Sequence, residues 1–333
     1  MSLGFAIVGT GMVARYHAQA IRSTDGTHLA AVCRADAARR AEAEKELGAP
    51  CSESYEALLA RPDVDAVCLC TPSGLHAAQA VQAARAGKHV LVEKPMALTL
   101  EDAASMIDAC ATAGVKLGVV LQRRADPSFQ ALRASITAGE LGTPVLGIAT
   151  VPYLRGQAYY DSAAWRGTWA QDGGGALMNQ GIHLLDLLLW LMGDVSDVSA
   201  RFATLAHEME AEDCVTATLR FANGALGSLA ATTAAAPGFP HRVEVYGSRS
   251  GIQIEGEAVM RPGEARQDAA PAGAGASPTG ISPTGHARIL DDFAAAVREE
   301  RAPLVPGEEG RRSLALVLAV YESARSGRAV RPS

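Results

Sequence analysis

Leu3-Gly4-Phe5-Ala6-Ile7-Val8-Gly9-Thr10-Gly11-Met12-Val13-Ala14 is the stretch that decides the fold. Leu3 to Val8 is an apolar run and reads as a buried strand. It passes at once into G-x-G-x-x-A, and Val13, Tyr16, His17, Ala20 and Ile21 follow at helical spacing. Strand, glycine turn and helix form the context in which this motif binds a dinucleotide. Gly9 permits the tight turn, Gly11 lets the backbone approach a pyrophosphate, and Ala14 keeps the helix close to the sheet. Free N–H groups and the dipole at the helix start favour the anion. Thr10, Met12 and Val13 complete the loop that would hold it.

Working outward, strand and helix keep alternating. Strands read at 28–33, weakly near 50–51, and at 66–70, 89–92 and 116–120. Helices read at 37–47, 54–60, 74–86 and 100–113. Such alternation predicts a doubly wound parallel sheet with right-handed crossovers. The end of the second strand chooses between the nicotinamide cofactors. An acidic residue there would bind the ribose 2′-OH of NAD, but the position carries Arg34, with Arg39 and Arg40 close by. Arg34 suits a 2′-phosphate, so the reading leans to NADP, with Asp36 as the rival group that would serve NAD. The loop Thr71-Pro72-Ser73-Gly74-Leu75-His76 ends the next long strand and would wall the nicotinamide ribose; as plain turn chemistry it needs only its proline and glycine.

Glu93-Lys94-Pro95 closes the strand at 89–92. The bland reading is a surface ion pair at a strand end. The sharper one starts from place: ligands bind beyond the carboxyl ends of strands in open α/β sheets.

The bulk composition sets the frame. The 333 residues suit two domains, and 48% hydrophobic with 20% charged residues suits a globular chain with a sizeable core. A net charge of -6 argues against a partner read through its phosphate backbone, so no nucleic acid is expected. None of the six cysteines forms a C-x-x-C pair, and no long apolar span or signal peptide appears. The expectation is a cytoplasmic protein with reduced thiols, no membrane and no metal.

Taken together, these motifs resemble the glucose-fructose oxidoreductase / inositol dehydrogenase (Gfo/Idh/MocA) family. The matching pieces are the Gly9–Ala14 turn, Thr71-Pro72 with His76, Glu93-Lys94-Pro95, Asp172-Gly173-Gly174-Gly175, and Gly181-Ile182-His183-Leu184-Leu185-Asp186. They run in order through nearly the whole chain. The resemblance implies a Rossmann domain, placed at 1–123, and a substrate and oligomerisation domain at 124–333 with a large, mostly antiparallel open sheet. It implies a cis Lys94–Pro95 bond, a Lys94 that touches nicotinamide and substrate, and a His183 that handles the substrate proton. Thr71, Pro72, His76, Glu93, Lys94 and Gln122 then join the cofactor residues named above.

In the second half, Pro127–Ala138 reads as a helix and Thr143–Pro152 as a strand. An aromatic and basic cluster follows: Tyr153, Arg155, Tyr159, Tyr160, Trp165, Arg166 and Trp169. Aromatic faces with arginines suit a sugar ring carrying an anionic group; a subdomain core or dimer contact is the plainer reading. Tyr153, Arg155, Tyr160, Trp165, Arg166 and Arg124 are the expected substrate contacts, with Asn179 and His183. The last two stand four apart on a helix read from 176 to 192, sharing one face. Where the family usually has Asp, this chain has Asn179, a feature that looks like the UDP-sugar-acid 3-dehydrogenase branch, as does Trp165-Arg166-Gly167-Thr168-Trp169. Asn can orient His183 but cannot stabilise imidazolium by charge.

Strands read at 195–205, 212–221, 225–233 and 242–247, residues 261–285 as a long mobile loop, and helices at 286–300 and 307–326. His286 is a weaker candidate for reaching the cleft. The expectation is an NAD(P)-dependent oxidoreductase of a sugar or nucleotide-sugar secondary alcohol, forming a homodimer or homotetramer through the second sheet. Its rivals are an inositol, dihydrodiol or imine substrate on the same fold, and a non-catalytic cofactor-binding regulator.

Overall fold

The computed structural model describes residues 2–256, 258–261 and 283–333. The chain begins with β1 (Leu3–Val8), α1 (Met12–Ser23), β2 (Thr27–Cys33), α2 (Arg40–Leu47), β3 (Cys51–Ser52) and α3 (Tyr55–Leu59). There follow β4 (Ala66–Leu69), α4 (His76–Arg85), β5 (His89–Glu93), α5 (Leu100–Ala113) and β6 (Leu117–Val120). The six strands form one all-parallel sheet in the order β3-β2-β1-β4-β5-β6. A sheet covered on both faces needs apolar residues at successive positions, and Ile7, Val67, Cys68, Leu69 and Val92 are fully buried. Strand order reverses between β1 and β4, which makes their carboxyl ends the switch point. The chains are close there: a Cβ on Gly9 would stand 2.7 Å from the Cys70 carbonyl oxygen.

Beyond Asp126, whose side chain caps α6 (Pro127–Thr137) by accepting from Ser128 N–H, come β7 (Pro144–Pro152), α7 (Gln157–Asp161) and α8 (Ile182–Met192). Next are β8 (Val195–Ala203), β9 (Cys214–Phe221), β10 (Leu226–Thr232), β11 (Arg242–Gly247), β12 (Gly251–Glu255) and β13 (Ala258–Met260). These seven strands pair in the order β13-β12-β11-β7-β10-β9-β8. The sheet is mixed: β7 and β10 run parallel, and the other pairs antiparallel. Burial alternates along β9 and β10, as it must when one face is covered. That face lies against α8, nearly all of whose residues are buried. The other face carries Leu146, Ile148, Leu226, Ala230 and Tyr246 at half-buried or exposed positions.

The chain closes with α9 (Pro283–Arg298) and α10 (Gly307–Ser326). Contacts divide the protein into two units, Met1–Ala125 with Ser282–Arg311, and Asp126–Ile281 with Arg312–Ser333. The sequence reading gave the whole C-terminal part to the second domain. In the structure α9 returns to the first unit because it packs on α1, and its Phe293 meets Phe5 of β1 edge-on at 6.4 Å.

Other differences have local causes. Glu212 and Asp213, read as strand, lie before β9 and turn their carboxylates onto backbone N–H groups. The helix expected at 176–192 is α only from Ile182; Leu177–Gly181 form a π turn, closed by the Ile182 N–H onto the Leu177 carbonyl. Strands β12 and β13 and helix α7 were too short to read from pattern. Of the expected loop at 261–285, residues 262–282 lie outside the described residues, and 283–285 begin α9.

Candidate active site

The β1–α1 turn fits a dinucleotide. Gly9 has φ +89 and donates its N–H to the Cys33 carbonyl at 3.0 Å. Gly11, the N-cap of α1, has open space where a Cβ would sit, with nothing within 4 Å. No side chain caps the helix and its first turn holds no acidic residue, so its N–H groups are left to an anion. Thr10, Met12 and Val13 are half-buried around this opening. Arg34 reaches back from the end of β2 and donates to the Thr10 hydroxyl, while its Nε is buried with no partner among the described residues. Asp36, the rival group, caps the next turn by accepting from Ala38 N–H at 3.1 Å.

At the other side of the switch point, His76 ties two loops together. Its Nδ1 lies 2.9 Å from the Pro95 carbonyl and its Nε2 2.9 Å from the Thr71 carbonyl. Burial pulls its pKa down against the pull of those carbonyls, and a neutral ring donates to one of them. The Thr71 hydroxyl meets Gln79 Oε1 at 2.6 Å, and Pro72 leads into the short turn Ser73–Leu75. The Lys94–Pro95 bond is cis, as the resemblance implied.

Glu93 is no surface ion-pair partner. It is 6% exposed, and its Oε1 lies 2.9 Å from His17 Nε2 and 3.3 Å from His286 Nε2. Its Oε2 accepts from the backbone N–H of Lys94 at 3.3 Å. Burial pushes the carboxyl up, but the two imidazole donors outweigh it and hold Glu93 well below the usual carboxylate range. Sequence reasoning placed His17 only as an inward helix position; the signal that could have found it was a histidine on the buried face of the first helix. His286, expected at most to reach a cleft, is the second donor. Gln122 begins a short 3-10 turn, its Oε1 buried with no partner among the described residues. Arg124, expected at the substrate, is 1% exposed and spends its charge on Glu309 at 2.7 Å. The ion pair accounts for its burial.

In the second unit the aromatic and basic residues do cluster. The Arg166 guanidinium lies over the Tyr159 ring at 4.4 Å and the Trp165 ring at 4.7 Å, and donates to the Tyr159 hydroxyl at 2.7 Å. Its Nε is buried with no partner among the described residues. Arg155 lies over Tyr153 at 5.4 Å and Tyr159 at 5.8 Å. Tyr153 meets His241 Nδ1 at 3.0 Å, and Tyr160 meets the Thr233 hydroxyl at 2.7 Å. Burial pushes the Tyr159 phenol up, so it stays neutral under the two arginines; Gln180 hydrogen-bonds it. Gln180 therefore joins the cluster, which already held Tyr159; neither was among the expected substrate contacts. Trp169 stands apart, edge-on to Tyr321 at 5.1 Å with Arg325 over it.

Asn179 sits in the π turn and donates to Asp172 Oδ1 at 2.6 Å. Asp172 is 1% exposed and also accepts from Gly167 N–H at 2.9 Å. His183 is half-buried in the first turn of α8, between the buried Ile182 and Leu184. A π turn inserts one residue into the helical ladder and recurs at functional sites. Here it separates Asn179 from the regular helix that carries His183.

Comparison with known proteins shows the family. The model of an oxidoreductase family with an NAD-binding Rossmann fold, GFO/IDH/MocA, matches residues 3–121, and the family's C-terminal domain matches residues 129–253. The chain belongs to this family and is an NAD-dependent dehydrogenase of it. It is 32% identical to 1,5-anhydro-D-fructose reductase of Ensifer adhaerens, covering 98% of this chain and 97% of that protein. D-apiose dehydrogenase of Paraburkholderia graminis is 30% identical, over 98% and 88% of the two chains. The crystal structure of the WlbA dehydrogenase from Bordetella pertussis, in complex with NADH and UDP-GlcNAcA, superposes with a TM-score of 0.88 at 38% identity, over 99% of each chain. No helix among the described residues is long and apolar enough to cross a membrane.

Proposed function

We propose that the protein moves a hydride between nicotinamide and a secondary alcohol or ketone carbon of a sugar, and that the sugar is nucleotide-linked and carries an anionic group. The observation that carries the substrate class is Arg166, half-buried over Tyr159 and Trp165 with an Nε still unpartnered among the described residues. A guanidinium so placed recognises a carboxylate or phosphate. The likeness to the WlbA dehydrogenase, over nearly the whole of both chains, supports the same class.

The bound dinucleotide supplies the hydride chemistry. The uncapped N-terminus of α1 would hold its pyrophosphate, with Gly11 allowing the close approach. Lys94 donates to the substrate oxygen as charge develops there, and His183 takes or returns the hydroxyl proton. Asn179, tied to Asp172, holds the π turn that leads into His183. Arg34 places a guanidinium where a carboxylate would favour NAD, so NADP is accepted at this position; Asp36 is spent on its own turn. The open face of the second sheet, with Leu146, Ile148 and Leu226, suits a second copy of this chain. A cytoplasmic setting fits the free cysteines of the described residues.

The test is turnover on a panel of UDP-sugars, UDP-sugar acids, free sugars and inositols with NAD and NADP, followed by nicotinamide absorbance. UDP-sugar acids should be the best substrates, and Lys94→Met and His183→Ala should each lower kcat/KM by roughly 10² or more. Turnover of free sugars or inositols alone would overturn the nucleotide-sugar class. Cofactor binding without turnover on the whole panel would overturn the enzyme.

A further inference from the structure

The buried cluster around Glu93 has no task in hydride transfer itself. His17 on α1 and His286 on α9 aim their Nε2 atoms at the same carboxylate oxygen, 2.9 and 3.3 Å away. His17, Glu93 and His286 are 1%, 6% and 3% exposed, so solvent screens none of this. The two rings meet edge-on at 5.4 Å, and Tyr16 stacks on His286 at 5.5 Å.

The protonation state follows from what each ring nitrogen faces. The Nδ1 atoms of both histidines are buried with no hydrogen-bond partner among the described residues. A proton on either would have no acceptor, at the cost of an unpaired buried donor. The geometry therefore puts a proton on the Nε2 of each ring, facing Glu93, whose carboxyl is held well below the usual range. Burial lowers the pKa of His17. The same three residues offer two nitrogens and an oxygen within 4.8 Å of one another, a set that could hold a metal ion. A metal would take both Nε2 lone pairs and drive the protons to Nδ1, where ligating histidines need an acceptor and these have none among the described residues. The hydrogen-bonded arrangement fits the surroundings; the metal-bound one does not.

An ionised carboxylate has acceptor sites on both oxygens. Two donors fix Oε1, and that leaves Oε2 turned to the Lys94 N–H. We propose that His17 and His286 are positioning residues for Lys94: they orient Glu93 so that its second oxygen holds the Lys94 backbone and sets the direction in which the lysine leaves β5. The inference rests on the role given to Lys94 above. Removing either donor leaves a buried carboxylate short of partners. It then gains a proton or turns, and its grip on the Lys94 N–H weakens. The C-terminal segment thus enters the working site through α9 rather than by touching substrate.

Two substitutions separate this role from packing. His286→Phe keeps a ring against Tyr16 and removes the donor. His286→Gln loses the ring but keeps an N–H at about the reach of Nε2. The expected result is a kcat lowered about tenfold or more in His286→Phe and within about threefold of wild type in His286→Gln, with the NADH dissociation constant steady in both. Equal losses, or a loss confined to His286→Gln, assign the residue to packing and overturn the proposal. If His286→Phe does not fold, the Gln variant decides alone: retained kcat supports the role and a tenfold loss refutes it. Metal analysis of the purified protein adds a second arm. One equivalent of bound zinc, iron or manganese, lost in His286→Gln, would overturn the hydrogen-bonded assignment. Lys94→Met is the control that separates this inference from the reading beneath it. Full turnover there removes the role of Lys94 altogether. An inactive Lys94→Met beside a fully active His286→Phe removes only the positioning role. The double variant should fall no lower than Lys94→Met, because both act through one group.

Discussion

Alanine at the two glycines of the β1–α1 turn should separate folding from cofactor binding. At Gly9, φ is +89, and a Cβ would lie 2.7 Å from the Cys70 oxygen and 2.9 Å from the Thr71 nitrogen. Those are backbone atoms at the end of β4 and cannot swing aside. The left-handed conformation costs about 1–2 kcal/mol for a residue with a Cβ. Overpacking adds about 1–3 kcal/mol. Gly9→Ala should therefore lose about 2–5 kcal/mol and melt several degrees lower. At Gly11, φ is -76 and ψ -171, extended backbone open to any residue, and a Cβ meets nothing within 4 Å. A glycine replaced at such a position stabilises by about 0.4–1 kcal/mol through the unfolded chain. Alanine is a poorer N-cap than glycine by a similar amount, so Gly11→Ala should melt close to wild type when no cofactor is present. The same methyl fills the space in which a pyrophosphate approaches the α1 N–H groups. A charge-assisted hydrogen bond is worth about 1.5–3 kcal/mol, so losing about one predicts NADH affinity down by roughly 10–100-fold. Calorimetry without cofactor and titration by the fluorescence of bound NADH read the two effects separately. Wild-type NADH affinity in Gly11→Ala would remove the helix start as the anion site. A large fall in its melting temperature would refute the open geometry at Gly11.

Three further outcomes follow from the geometry. Arg34→Asp should weaken NADP more than NAD, shifting the ratio of their dissociation constants by roughly tenfold or more; an unchanged ratio would take Arg34 out of cofactor choice. Asn179→Asp sets a second carboxylate against the buried Asp172, 2.6 Å from the present amide nitrogen, and the two cannot both be ionised. The pair then holds a proton more tightly folded than unfolded, so the stability lost, about 1–3 kcal/mol at neutral pH, should shrink as pH falls; melting curves across pH check the sign. Asp213, fully buried, would be raised by burial, but the Ala206 and Leu205 N–H groups and His207 outweigh this and depress it. Its contribution is complete at neutral pH and is lost only as pH falls through its lowered folded pKa, so Asp213→Asn should cost about 2–4 kcal/mol at neutral pH and less in acid. Equal losses at both would show that the charge is not what holds the turn.

The parallel sheet was legible because its strands are buried on both faces and its first turn needs a glycine pattern that few other turns need. The place of Lys94, just past the carboxyl end of the buried strand β5, was legible too. Other features were hidden for physical reasons. Glu212 and Asp213 continue the alternation of β9 in sequence, yet each carboxylate finds backbone donors outside the strand. A π turn shares the apolar content of an α-helix, so Leu177–Gly181 could not be told from α8 by period. The return of α9 to the first unit depends on packing between segments far apart in the chain, and no local pattern reports that. Arg124 shows a second long-range pairing that no local pattern reports. Expected as a substrate contact, it has its counter-charge in Glu309, far along the chain.

The same long-range pairing explains how the work is divided. Glu93 accepts from the Lys94 N–H and takes His17 and His286 on its other oxygen, and His76 meets the Pro95 carbonyl, all within the first unit. Arg166 is held by Tyr159 and Trp165, and Asn179 by Asp172, wholly within the second. A side chain that recognises substrate can therefore change without loosening the turn that carries Lys94. The converse does not hold for the first unit. Glu93 takes donors from α1 and α9 on one oxygen and the lysine backbone on the other, so a change in either helix is felt at Lys94. Substrate preference should accordingly drift with residues such as Tyr153, Arg155 and Arg166. Turnover should instead be sensitive to His17 and His286, although neither needs to touch the substrate.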